Sequence, residues 1–212
     1  MSDESANDPR RICIVGSAGP SNRLANELKP GVELWAMNMC HRFLTARADR
    51  WFQLHPRNWR EGEWGPGNED YEVDQDRAFG RPSDHLEFLK NCGIPVYMQE
   101  QNSEIPTSMR YPLGEIIDRF GGYMTSTVPY MIALALHEGV DEIGLLGIYL
   151  DTSGEYRDHR PCVEYWLGVA RGMGVSIVLP NGCSLTKAPL YAYDGLVEPS
   201  ETLKLESVEV LA

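Results

Sequence analysis

Short apolar runs recur along this chain, each broken off by glycine, asparagine, histidine, proline or, once, glutamine before it grows long enough for a helix. The runs lie at 12–15, 33–37, 50–54, 94–98, 142–147 and 175–179. Between them stand longer segments with helical spacing, one beginning near Asn22 and others at 83–91, 113–120, 128–137 and 161–173. Runs of this length read as buried strands and the spaced segments as helices. Strands that alternate with helices cannot pair by tight hairpins. The expected class is therefore α/β, a mostly parallel sheet with helices on both faces. Pro95 inside the fourth run marks that strand as an edge, and Pro161 is expected near the first position of the last helix.

The division of the chain follows from where this rhythm fails. Residues 10–185 read as a single domain, preceded by a disordered segment at 1–9 and followed by an acidic, weakly patterned tail at 186–212. Within the domain, 56–82 lacks periodicity, and 61–76 carries seven Asp or Glu and no Lys or Arg. A stretch of that length reads as a loop, a lid over a site or a solvated excursion. The runs fall short of the ~20 residues that cross a bilayer, so no membrane association is expected. The first nine residues lack the basic and apolar regions of a signal peptide. Five cysteines without Cys-x-x-Cys spacing read as reduced thiols in a cytoplasmic protein. A net charge of −12, from 19 basic and 31 acidic residues, argues against broad electrostatic binding to nucleic acid.

In a parallel sheet, ligands collect at the carboxyl ends of the strands, so the residues after each run are the candidate site. After the first run come Gly16, Ser17, Ala18, Gly19, Pro20 and Ser21. A strand, a glycine turn and a helix start suit a phosphate, because glycine admits close approach and the first helical N–H groups lack partners. The turn is neither the dinucleotide fingerprint, since Ser21 replaces its third glycine, nor a Walker loop, since no Gly-Lys-Ser/Thr follows. Other runs lead to Asn38, His55 and the polar loop 149–160; Thr125 and Ser126 open the helix at 128–137. Asp74-Gln75-Asp76 has the D-x-D spacing of a cation site but stands in the acidic loop rather than after a strand, and no metal site is assigned.

The order Gly-Ser-Ala-Gly-Pro-Ser, then Ala-Met-Asn after the second run, then Thr-Ser-Thr-Val at a helix start, then Glu-Ile-Gly-Leu-Leu-Gly-Ile, resembles the bacterial sialyltransferases. Those are metal-independent, inverting glycosyltransferases on a modified Rossmann scaffold. The skeleton is also similar to the hydroxymethylpterin diphosphokinase-like family, which shares the Gly-Pro-Ser turn. The likeness covers about 11–150 in scattered motifs. It implies a Rossmann-like fold and a nucleotide-sugar donor as co-substrate, with no other cofactor. Gly19, Pro20 and Ser21 would then approach the nucleotide, Asn38 would contact it, Thr125 and Ser126 would bind its phosphate or sugar, and Gly147 would line the pocket floor. The chain departs from the sialyltransferase pattern at Ala18, where that family has asparagine, and at Tyr149, where it has aspartate.

Inverting transfer needs a base for the acceptor and charge stabilisation for the departing phosphate. His55 and His159 are the candidate bases, with Asp151 and Glu155 as carboxylate alternatives. Arg157 or Arg160 has the fork geometry for a phosphate, and Tyr149 and Tyr156 have faces for a base or sugar. Glu164 stands four residues after Arg160, the spacing of a helical ion pair. His41, His85 and His137 read as packing or helix-surface residues. Three functions stay open: sugar transfer to a small molecule, glycan or modified DNA base, the last suited to a bacteriophage setting; non-catalytic binding or sequestering of a nucleotide; and pterin or nucleotide pyrophosphoryl transfer. Homo-oligomers are also left open.

Overall fold

The computed structural model describes residues 8–55, 82–150, 156–187 and 191–192. Its seven strands are β1 (Arg11–Val15), β2 (Val32–Met37), β3 (Arg50–Gln53), β4 (Val96–Met98), β5 (Ser108–Arg110), β6 (Glu142–Leu146) and β7 (Ser176–Val178). All six pairings are parallel, in the order β5-β4-β3-β2-β1-β6-β7. The helices are α1 (Pro82–Asn91), α2 (Leu113–Phe120), α3 (Thr127–His137) and α4 (Tyr156–Gly172), with 3₁₀ segments at Ser21–Glu27 and Asn38–Arg42. Successive side chains of a strand point to opposite faces. In β1 and β6 every residue after the first is buried, so both faces of the sheet centre are covered. The α/β class expected from the alternating runs is the observed one, and the sheet expected to be mostly parallel is parallel at every pairing.

Two strands differ from expectation. β4 is an interior strand, because β5 pairs outside it through Val96↔Ser108 and Met98↔Arg110. Pro95 precedes β4 and its carbonyl accepts the Trp51 N–H at 2.8 Å, so the missing proline N–H costs the ladder nothing. β5 carries no apolar run; only Ser108 of its three residues is buried. The first crossover also differs. Residues 21–27 form a 3₁₀ helix rather than an α-helix, too short for an accumulated dipole, so close backbone approach rather than helix charge shapes that turn. α4 starts at Tyr156, five residues before the expected first-turn proline, and absorbs half of the polar loop. The segments 1–7, 56–81 and 193–212, with the expected lid and most of the tail, lie outside the described residues.

Helix direction places the site. α3 is apolar all round, with eight of its eleven residues buried, as befits a helix packed on every side. Just past its end, Glu138 ion-pairs with Arg10 at 2.7 Å and with Arg50 at 2.6 Å, both at the starts of strands. Glu33 joins the same group through Arg10 at 2.8 Å and Arg50 at 3.5 Å. The Trp35 indole N–H donates to Glu33, and the Arg50 guanidinium lies 4.6 Å from the Trp35 ring centre. This ring of charges closes the amino edge of the sheet. Eleven helical residues span about 16 Å, close to the ~17 Å of a five-residue strand. The start of α3 therefore sits level with the carboxyl ends of the strands. α4 runs the same way, since its end feeds directly into β7.

Candidate functional site

The sheet order reverses at β1. The chain builds outward from β1 to β5 and then crosses back to lay β6 against the other side of β1. The segments leaving β1 and β6 lead on to strands on opposite sides, β2 and β7, and the carboxyl edge at such a reversal is where parallel sheets collect ligands. Pairing continues past both strands: the Gly16 N–H donates to Leu146 O at 2.8 Å and the Ala18 N–H to Gly147 O at 3.0 Å. A Cβ on Gly16 would stand 2.6 Å from Gly147 O, and one on Gly147 would meet Gly16 O, Asn22 Cβ and Ala18 O. Gly147 also holds φ at +64°. Only glycine lets the two loops cross this closely.

Beyond that crossing, Ser17, Ala18, Gly19 and Pro20 are exposed at the edge. Ser21 turns inward instead. It is buried, and its hydroxyl accepts the Gly147 N–H at 2.9 Å, tying the β1 turn to the end of β6. The next residue, Asn22, is 7% exposed; its amide donates to Ser17 O at 3.1 Å, and its Oδ1 has no hydrogen-bond donor. Sequence reasoning passed over Asn22, because a polar residue at a helix start reads as an ordinary cap.

Asn38 follows β2 with φ at +48°, and its Oδ1 is likewise buried without a partner. Its carbonyl accepts the Trp51 indole N–H at 3.2 Å, which joins the ends of β2 and β3. Ser126 caps α3 by position only, for its Oγ makes no cap bond and is a third buried atom without a partner. Thr125 donates to Asp158 O at 3.1 Å, bringing the start of α3 against the first turn of α4. That turn begins at Tyr156 and carries half-buried His159. Tyr149 is half-buried against the core. Arg160 is committed to neighbours: it ion-pairs with Glu164 at 3.1 Å, the expected helical pair, and donates to Ser184 Oγ at 2.9 Å. Asp151, Glu155 and the Asp74–Asp76 pair lie outside the described residues. Among the described residues no group of three His, Cys, Asp or Glu is arranged to hold a metal ion, and no helix is long and apolar enough to cross a membrane.

At the end of β3 a second group gathers that the sequence did not suggest. His85, from α1, is fully buried; its Nε2 lies 2.9 Å from Gln53 Oε1 and its Nδ1 3.3 Å from His41 Nδ1. Gln53 Nε2 in turn lies 3.1 Å from Nδ1 of exposed His55. The Phe88 ring stacks on His41 at 4.7 Å and lies against Trp51 at 4.5 Å. Burial, followed by the charges of His41, His55 and Arg42, pulls His85 down to about 3. At neutral pH its imidazole is uncharged.

An all-parallel sheet whose strand order reverses at β1 is a doubly wound α/β arrangement. No family model matches the chain, and none of the curated proteins does. Among solved structures, it is similar to the sialyltransferase CstII from Campylobacter jejuni in complex with CMP-3FNeuAc, at 14% identity and TM-score 0.51 over 82% of each chain. A structure of that sialyltransferase with CMP and a trisaccharide acceptor matches at 12% identity and TM-score 0.51, again over 82% of each. A thiamine pyrophosphokinase from Bacillus subtilis aligns at 15% identity, over 81% of this chain and 60% of the other, with TM-score 0.42. The shared property is the fold, an α/β domain built on a parallel sheet.

Proposed function

We propose that the crevice between β1 and β6 binds a nucleotide or nucleotide sugar, and that the chain transfers the sugar with inversion and without a metal ion. One observation carries this reading. Three buried polar atoms without partners, Asn22 Oδ1, Asn38 Oδ1 and Ser126 Oγ, belong to three segments at the carboxyl edge of the sheet. An unpaired buried polar group costs about 1–3 kcal/mol, a cost that ligand hydrogen bonds would offset. The exposed Ser17–Pro20 backbone and the crossing of Gly16 and Gly147 supply close approach for an anionic group. Sialyltransferases of this fold, crystallised with CMP and CMP-3FNeuAc, support the choice of ligand. Proton handling falls to His159 and His55, with Asp151 and Glu155 as the carboxylate alternatives, and Tyr149 and Tyr156 are the candidates for contact with a base or sugar. The acceptor is a small molecule, a glycan or a modified base.

A thermal-shift screen against nucleoside monophosphates and nucleotide sugars, with and without Mg²⁺, tests this. Ligand at a hundred times its Kd stabilises the native state by about 2.7 kcal/mol. In a chain of this size that raises Tm by roughly 5–10 °C. Asn38→Ala and Ser126→Ala should remove the shift while leaving the unliganded Tm within a few degrees. Release of free nucleotide from the donor sugar in the presence of acceptor distinguishes transfer from simple binding. If no nucleotide at millimolar concentration moves Tm, the reading is wrong.

A further inference from the structure

We propose that His41, His85 and Gln53 form a one-way hydrogen-bond relay that fixes His55 in the tautomer with its proton on Nε2. This makes His55 a hydrogen-bond donor at the carboxyl edge of β3, and His85 and Gln53 its positioning residues.

The direction follows from which atoms can donate. The Gln53 carbonyl oxygen only accepts, so His85, 2.9 Å away, must carry its proton on Nε2. A neutral imidazole has one N–H, which leaves His85 Nδ1 as an acceptor. His41 Nδ1, 3.3 Å from it, must then be the donor. At the other end the Gln53 amide nitrogen only donates, so His55 Nδ1 accepts and the His55 proton resides on Nε2. Neutral His85 is required by this scheme, because a doubly protonated ring would have no acceptor for His41. The full burial of that ring, with the Arg42 charge facing it, meets the requirement. Turning the Gln53 amide over would reverse every bond in the series, so one buried side chain sets the polarity of the whole relay.

The consequence is chemical. A neutral imidazole that presents Nε2–H offers a hydrogen bond to an anionic oxygen; it does not remove a proton from an acceptor hydroxyl. The relay thus separates the two candidate histidines. His55 stabilises negative charge, and the work of the base passes to His159. The tautomers themselves do not depend on the nucleotide reading, whose own test leaves them unmoved if it fails.

The experiment is a two-bond ¹H–¹⁵N correlation spectrum of the full chain labelled with ¹⁵N-histidine at pH 7.5. The expected result is His55 and His85 protonated on Nε2, with His41 carrying a proton on Nδ1, the less favoured position for a free imidazole. In Gln53→Glu, a side chain of the same shape that only accepts, His55 must bring a proton to Nδ1 while His85 is unchanged. The proposal is overturned if native His55 carries its proton on Nδ1, or if native His41 is protonated on Nε2 alone. It is equally overturned if Gln53→Glu leaves the His55 tautomer as it was. Should Gln53→Glu not fold, the native spectrum decides by itself.

Discussion

Gly147→Ala adds a single methyl group at the crossing of the β1 and β6 loops, and its effect can be worked from geometry. The new Cβ would stand 2.7 Å from Asn22 Cβ and 2.8 Å from Ala18 O, and would also meet Gly16 O. Two of those three neighbours are backbone, which cannot swing aside like the end of a side chain. Overpacking of this kind costs about 2 kcal/mol. The φ of +64° adds about 1 kcal/mol for a left-handed residue with a Cβ. A loss of about 3 kcal/mol lowers Tm by roughly 6–12 °C in a chain of this length. Gly168→Ala is the matched control. Gly168 lies within α4, is exposed, and has nothing within 4 Å of the added atom. It should gain about 0.5–1 kcal/mol from helix propensity. Urea unfolding of the two variants should thus move the midpoint in opposite directions. A Gly147→Ala protein as stable as the native one would refute the close crossing of the β1 and β6 loops.

Acid should weaken the protein in two separable windows. His85 is held down to about 3, against an ordinary value of 6.5. The unfolded chain therefore takes up a proton that the folded chain refuses, and stability falls from pH 6.5 downward, by about 2 kcal/mol at pH 5. His85→Phe should flatten the stability profile between pH 7 and 5. Burial pulls Glu33 and Glu138 upward, but hydrogen bonds from Arg10 to both, from Trp35 to Glu33 and from Arg50 to Glu138 outweigh it, so both lie below the ordinary 4.5. Their contribution is complete above pH 4.5 and is lost as pH falls through their lowered values; Glu138→Gln should cost roughly 1.5 kcal/mol at pH 7 and less in stronger acid. Burial pushes the Cys13 thiol well up and Cys40 up to about 12. With a thiol reagent at pH 7.5, half-buried Cys92 should react first, and Cys13 and Cys40 only on unfolding.

What could be read from the sequence tracks how local each signal is. β1, β2, β3 and β6 announce themselves because burial on both faces demands unbroken apolar runs. β5 does not, since a three-residue edge strand with one buried residue leaves no pattern. Pro95 misled because a proline just before a strand and one within it differ by a single position. The start of α4 was hidden by charged residues and by Pro161, which sits six residues into the helix, where it forfeits one backbone bond. At the site, Gly16 and Gly147 were legible as glycines ending apolar runs. Ser21 was singled out, but its bond to Gly147, 126 residues away, was not foreseeable. The histidine group was invisible for the same reason: His85 meets Gln53 from 32 positions away and His41 from 44. Such partners are set by how α1 lies against β3, which no local spacing encodes.

The register of β1 against β6, Arg11↔Glu142 through Val15↔Leu146, has a bearing on how the molecule is made. β1 is synthesised some 130 residues before β6, so a ribosome must deliver that whole span before the two strands can pair. Closing so long a span is entropically slow. A fragment cut before Glu142 would carry the Gly-Pro-Ser turn, Asn38 and the linked histidines, yet leave one side of β1 unpaired.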